Sequence, residues 1–160
     1  MHLSEAVNTG FLFLAPWLVF APVLGLLINL ILGDWFAKQS WGETATGAVA
    51  SLASGAAFVV SGLLAYSVSA AHGEMLRWRL AEWIHIGNLS LDWTFRADSL
   101  STTMMLVVSG VGTLIHIYAI GYMHEDVHFK GDPGRFSRFF VFLNLFIAMM
   151  MILVSGDSYL

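Results

Sequence analysis

Residues 99–123 read SLSTTMMLVVSGVGTLIHIYAIGYM, a stretch with one side chain that titrates near neutrality, His116. A bilayer core of about 30 Å needs roughly 20 apolar residues in a helix rising 1.5 Å per residue, so this stretch is long enough to cross. Three further runs share its character. Residues 11–32 are interrupted only by Pro16, Pro22 and Asn29. Prolines are tolerated in spanning helices where neighbouring helices or side chains satisfy the freed carbonyls. Residues 44–71 carry no charge and are rich in small residues, and residues 139–156 contain Asn144 as their notable polar group. The eleven acids, seven bases and six histidines fall almost entirely between these runs, and the mean hydropathy is +0.74. Only 11% of residues are charged, against about 25% in a typical soluble domain. The expected fold is all-α: a single polytopic membrane domain over 1–160, with four transmembrane spans at about 11–32, 44–71, 99–123 and 139–156.

Between the second and third spans the periodicity changes. Leu89-Ser90-Leu91-Asp92-Trp93-Thr94-Phe95-Arg96 alternates apolar and polar with period two, and Trp83-Ile84-His85-Ile86 precedes it across Gly87-Asn88. Two short strands joined by a Gly-containing two-residue turn make a β-hairpin, expected outside the membrane at about 83–96. Asp98 or Ser99 stands where a cap for the third helix belongs. On the second span, Gly47, Ser51 and Gly55 sit four apart, the small-xxx-small spacing that lets helix backbones approach closely. That face is expected to lack a partner within this chain and to seek other subunits.

Loop charges orient the chain. Lys38, Lys130, Arg135 and Arg138 fall on one side and Arg77, Arg79 and Arg96 on the other, so the Lys130–Arg138 loop is expected to be cytoplasmic. The first ten residues contain Glu5 and neither Lys nor Arg, which does not fit the basic start of a cleavable signal peptide. At the other end, Asp157-Ser158-Tyr159-Leu160 reads as the start of another helix, so the chain is expected to be a fragment.

Several chemistries find no support. There is no cysteine, hence no disulfide framework, thiol nucleophile or cysteine metal site. The net charge of −4 points to no nucleic-acid partner. His124-Glu125-Asp126-Val127-His128 is a literal H-E-x-x-H; on a helix that spacing puts two imidazoles on one face for zinc. No glutamate follows to supply a third ligand, and the motif falls where the third span is expected to run out into a Gly/Pro loop, so no metal site is assigned. No catalytic or cofactor-binding residue is assigned either. Arg135 and Arg138 are expected to snorkel at the interface, Asp98 and Asp157 to cap helices, and the tryptophans to form an interfacial belt.

The more specific signal lies in residues 95–160. Phe95-Arg96-Ala97-Asp98-Ser99-Leu100-Ser101, then Gly110-Val111-Gly112-Thr113-Leu114-Ile115-His116-Ile117-Tyr118 and Gly121-Tyr122-Met123-His124, resemble the third-helix signature of the largest antiporter-like, proton-pumping membrane subunit of respiratory complex I, NADH-quinone oxidoreductase. Arg138-Phe139-Phe140-Val141-Phe142-Leu143-Asn144-Leu145-Phe146 is similar to the start of its fourth helix. The segment 127–134 looks longer than the family's usual link. The resemblance implies a bacterial plasma (inner) membrane subunit of the NADH:quinone oxidoreductase translocase, contributing to proton translocation coupled to quinone reduction. Its partners would be the other membrane subunits and the lipid bilayer. The wider group includes sodium/proton antiporter subunits, and a purely structural assembly segment is a further reading. The family's proton path uses a glutamate on a fifth helix and lysines on later helices, and no residue of this chain corresponds to them.

One polar pair does follow from the residues. An ionisable group inside a span is a functional candidate by default. His116 lies seven residues inside Met123 and Asn144 six inside Arg138, so antiparallel neighbours would bring both to roughly 10 Å below the same surface. The candidate site is the intramembrane polar pair His116 and Asn144. One histidine cannot form a relay, so these residues alone are expected not to move protons.

Overall fold

A computed structural model describes residues 11–72, 75–86, 89–130 and 134–156. A 3-10 turn (Leu12–Leu14) leads into α1 (Trp17–Phe36), followed by α2 (Gly42–Ala70), strands β1 (Leu76–Ile86) and β2 (Leu89–Ala97), α3 (Ser99–Lys130) and α4 (Gly134–Ser155). Among the described residues, four helices are long and apolar enough to cross a membrane. α1 packs between α2 and α4, and α3 closes the bundle against α2 and α4. Consecutive helices run antiparallel, so the α1–α2 and α3–α4 connections share one end and the hairpin occupies the other.

The outer surface explains why the sequence looks apolar all round. Leu30, Ile31, Leu52, Leu114, Phe142 and Leu153 are all exposed, whereas the interior holds Asn29, Ser54, Ser61, Ser109, His116 and Asn144. Lipid is as apolar as leucine, so helices in it associate through close packing and interhelical hydrogen bonds rather than through a hydrophobic drive. Trp17, Trp35 and Trp41 are about half exposed at helix ends, positions suited to an interfacial belt.

Several boundaries move relative to the sequence reading, among them the start of α4, at Gly134 and not near 139. α1 continues past Leu32 to Phe36 and includes Asp34. α3 runs through His124-Glu125-Asp126-Val127-His128 to Lys130 instead of ending near Met123, because nothing before the Gly131-Asp132-Pro133 segment breaks a helix and a charged extension is stable once it leaves the apolar layer. The hairpin begins at Leu76, seven residues earlier than expected. β1 opens on the alternation Leu76-Arg77-Trp78-Arg79-Leu80, but its phase slips before Trp83. β1 pairs antiparallel with β2 from Leu76↔Ala97 to Ile86↔Leu89, with irregularities at Arg79/Ala81 and Glu82/Ile84 that absorb two extra β1 residues. The expected turn at Gly87-Asn88 and the Asp157 cap lie outside the described residues.

The hairpin base is anchored. Leu76 and Ala97 are buried with Leu12, Leu18, Leu64, Val68, Met105 and Met151, and Phe95 bridges to Gly156 at the end of α4. Asp98 then starts α3 with a reciprocal cap. Its Oδ1 accepts from the Ser101 amide at 2.7 Å, its own amide donates to Ser101 Oγ at 2.9 Å, and its Oδ2 accepts from Arg96 at 2.7 Å. The Ser101 amide and hydroxyl, more than Arg96, hold the Asp98 carboxyl down at about 2, the expected response of a carboxylate to donors that favour its charged form.

The small-residue face of α2 is not left open. A Cβ at Gly47 would come within 2.6 Å of Ile120 Cγ1, and one at Gly55 would meet the Thr113 methyl at 3.8 Å. α3 covers this face, because small side chains on α2 let the α3 backbone come close.

Candidate functional site

The interior polar groups follow a heptad rule on two helices. On α3, Thr102, Ser109 and His116 recur every seven residues, and all three are buried. On α2, Ser54 and Ser61 do the same. Two turns of helix are about seven residues, so each set lies on one face. The faces meet: Ser54 Oγ pairs with Thr113 Oγ1 at 3.1 Å, and Ser109 Oγ donates to Ser61 Oγ at 3.2 Å. The back-bonds Thr113 to Ser109 O, Ser61 to Ala57 O and Ser67 to Leu63 O keep these hydroxyls satisfied inside an apolar surround.

The structure brings His116 and Asn144 together. His116 Nε2 lies 3.0 Å from Asn144 Oδ1, and Nδ1 lies 2.7 Å from Gly112 O. Both residues are wholly buried, and the Phe140 ring flanks the imidazole at 6.1 Å. Equal depth below helix ends is not what aligns them. His116 is 14 residues from the end of α3 at Lys130 and Asn144 is 10 from the start of α4 at Gly134, a stagger of about 6 Å at 1.5 Å per residue. α3 overhangs α4, and the side chains meet within the shared layer.

The hydrogen-bonding chemistry of the pair allows two states. A carbonyl oxygen only accepts, so Nδ1 carries a proton toward Gly112. An imidazolium also donates from Nε2 to Asn144 Oδ1. A neutral ring instead accepts at Nε2, and a half-turn of the Asn144 amide presents its NH2 as the donor. The amide can serve either form of the ring, and its other end faces α1. There the absent side chain of Gly25 makes room: a Cβ would stand 3.0 Å from Asn144 Nδ2 and 2.5 Å from the Ala53 Cβ.

A second polar cluster, which the sequence reading did not single out, lies toward the α3–α4 loop end. Asn29 Nδ2 donates to Thr46 O at 3.2 Å, and Ser137 Oγ donates to Asn29 O at 2.9 Å, tying α1 to α2 and α4. Gly33, one turn on, lets Ser137 press against α1 so tightly that no side chain fits there. The signal that could have found this cluster was Asn29 itself, since an amide inside a span requires partners. Which helices supply them is a tertiary matter.

The other singled-out residues lie at the periphery. On α3, His124 is exposed and its Nδ1 is 2.5 Å from Glu43 Oε2 on α2. This uses the histidine in an interhelical hydrogen bond, so the H-E-x-x-H spacing does sit on a helix but with its first imidazole engaged. Among the described residues no group of three His, Asp or Glu side chains is arranged to hold a metal. Arg135 approaches Asp126 at 3.8 Å.

Apolar outer faces, hydrogen-bonded interior side chains and four membrane-length helices define a multi-pass membrane protein. Comparison with known sequences narrows the class. The family described as NADH-Ubiquinone oxidoreductase (complex I), chain 5 N-terminus matches residues 83–140. NADH-quinone oxidoreductase subunit L of Mycobacterium tuberculosis is 39% identical over 146 residues, which cover 89% of this chain and 21% of that protein. The subunit L of Escherichia coli K12 is 32% identical over 142 residues, again 89% of this chain and 21% of the relative. Chain 5 of NADH-ubiquinone oxidoreductase from Allomyces macrogynus is 42% identical over 81 residues, 51% of this chain and 12% of its own length. The chain is homologous to the N-terminal part of the antiporter-like membrane subunit of complex I, and spans about a fifth of the length of the subunit L relatives.

Proposed function

We propose that this chain serves as the N-terminal four-helix part of a proton-translocating membrane subunit of NADH-quinone oxidoreductase, in a bacterial plasma membrane and in contact with the other membrane subunits. The observation that carries the reading is the similarity to subunit L over 89% of the chain, together with the family match over residues 83–140, which takes in the α3 segment bearing His116. The His116–Asn144 pair is the proposed functional element within it. It holds an ionisable group in the bundle interior with a partner able to serve both protonation states.

By themselves these residues are proposed not to translocate protons. A path across about 30 Å of hydrocarbon needs titratable or hydrated groups in series. Apart from His116, the polar groups buried in the layer among the described residues are amides and hydroxyls. The chain therefore contributes structure and a polar element to a larger path.

The test is removal of the gene in a host that carries it. The chain should copurify with NADH-quinone oxidoreductase. NADH-driven proton uptake into inverted membrane vesicles, followed by a pH-sensitive dye, should fall on deletion and return with the gene. Unchanged proton uptake together with no copurification would refute the assignment. Normal NADH–quinone activity and proton uptake in a complex that assembles only with the chain present would favour a purely structural role.

A further inference from the structure

The outer face of α4 changes character at the α3–α4 loop end. Arg138 is exposed there, and Phe142 and Phe146, one and two turns deeper, are 68% and 55% exposed. Residues four apart lie on one face of a helix, so a cation stands at the head of an apolar ridge. The ridge has a groove on each flank. One, of about 490 Å³ between α3 and α4, is lined by Tyr122, Asp126, Arg135, Arg138 and Phe142. The other, of about 840 Å³ between α1 and α4, is lined by Asp34, Lys38, Arg138 and Phe142. Arg138 and Phe142 border both.

An arginine that only snorkels needs neither groove. Two clefts that share one cation and pass on either side of one phenyl ring match an amphiphile with an anionic head and two chains. Charge narrows the head further. Among the described residues lining the two grooves, Lys38, Arg135 and Arg138 are basic and Asp34 and Asp126 acidic, a surplus of one positive charge. Asp126 already has Arg135 at 3.8 Å. A phosphodiester with no other charge balances that surplus, whereas a zwitterionic head brings an ammonium with its phosphate and does not. A guanidinium carries five N–H donors in a fork that fits phosphate oxygens, so Arg138 can hold a phosphate alongside contacts within the protein. Basic pockets between membrane helices are where anionic lipid heads bind.

We propose that this ridge is a binding site for an anionic phospholipid carrying one negative charge, of the phosphatidylglycerol type. Its phosphate sits at Arg138, flanked by Lys38 on the α1 side and Arg135 on the α3 side. Its acyl chains descend one in each groove, against the two sides of Phe142, which lies about 6 Å deeper than Arg138 along the helix axis. The site is independent of the role proposed in proton pumping.

The experiment is photolabelling of the protein in its native membranes, doped with phosphatidylglycerol bearing a diazirine part-way down one acyl chain, or with phosphatidylethanolamine bearing the same group. Labelled positions are read by mass spectrometry, with exposed Leu52 on α2 as the internal reference. In wild type, which needs no variant, Phe142 and Phe146 should be labelled severalfold more by phosphatidylglycerol than by phosphatidylethanolamine, and Leu52 equally by both. Arg138→Gln should remove that preference, and Arg138→Lys should keep part of it. Equal labelling of the ridge by the two lipids in wild type overturns the anionic site. A preference that survives Arg138→Gln overturns the part played by Arg138. A preference abolished by excess inorganic phosphate, but not by chloride at equal ionic strength, gives the cations to a free anion and overturns the lipid. A ridge that neither lipid labels while Leu52 is labelled is covered by a neighbouring protein subunit, which also overturns it.

Discussion

Replacing Asn144 by leucine removes the partner of His116 Nε2 while keeping a side chain of similar size. The imidazole is wholly buried, so its ring nitrogen cannot turn to solvent. An interhelical hydrogen bond in lipid contributes about 0.6–2 kcal/mol, and stranding the remaining polar atom costs about 1–3 kcal/mol. Asn144→Leu should therefore destabilise the bundle by about 2 kcal/mol. His116→Leu should cost a similar amount, since it strands the Asn144 amide and also frees Gly112 O from its 2.7 Å contact. The two losses are the same interaction seen from either side, so the double variant should cost about as much as either single one, and the coupling should be about 2 kcal/mol. The assay is reversible unfolding in mixed micelles by rising SDS mole fraction, followed by circular dichroism, for wild type, both single variants and the double. Costs that add to within about 0.5 kcal/mol would show that the two side chains do not interact, and would refute the reading of the pair.

Other perturbations probe separate features. Folding lowers the Asp98 pKa from 3.8 to about 2, so its share of stability is complete above about pH 4 and is lost as pH falls through about 2; an unfolding midpoint followed from pH 5 to 2 should drop less in Asp98→Asn than in wild type. At neutral pH, Asp98→Ala should cost about 1 kcal/mol through loss of the α3 cap, measured by the same unfolding assay. Gly112→Val should cost about 1–3 kcal/mol, because its Cβ would overlap the Ile147 side chain, and Ile147→Ala should recover part of that loss in the double variant. Purified chain in liposomes under an imposed pH gradient should collapse the gradient no faster than empty liposomes; collapse abolished by His116→Ala would show a self-sufficient path.

How much of this was legible beforehand differs by element. The four spans were, because charge is too costly inside hydrocarbon to be scattered there, and the intervals between charged residues mark the crossings directly. The β2 strand was too, since period-two alternation over 89–96 has no helical reading. β1 was recognised only at its later end, because the two extra residues at Arg79/Ala81 and Glu82/Ile84 shift the phase of its alternation, and Leu76-Arg77-Trp78-Arg79-Leu80 no longer runs in step with Trp83-Ile84-His85-Ile86. The length of α3 was not readable from hydropathy: His124 to Lys130 is polar, and a helix that has left the membrane carries no apolar signature.

The candidate site divides along the same line. His116 and Asn144 were conspicuous because each is a polar side chain in an apolar run, and an amide or imidazole at that depth demands a partner. The sequence by itself determined that demand. It also offered the two as each other's partner, but which groups meet the remaining demands was a tertiary decision. That α3 covers the Gly47 face of α2, that α1 lies between α2 and α4, and that Asn29 reaches Thr46 while Ser137 reaches Asn29 all depend on how four nearly uniform apolar surfaces choose neighbours. Hydrophobicity cannot discriminate among such faces, since each is equally at home against lipid. The choice is made by where glycines permit close approach and where buried donors find acceptors, and those positions acquire meaning only once the helices are packed.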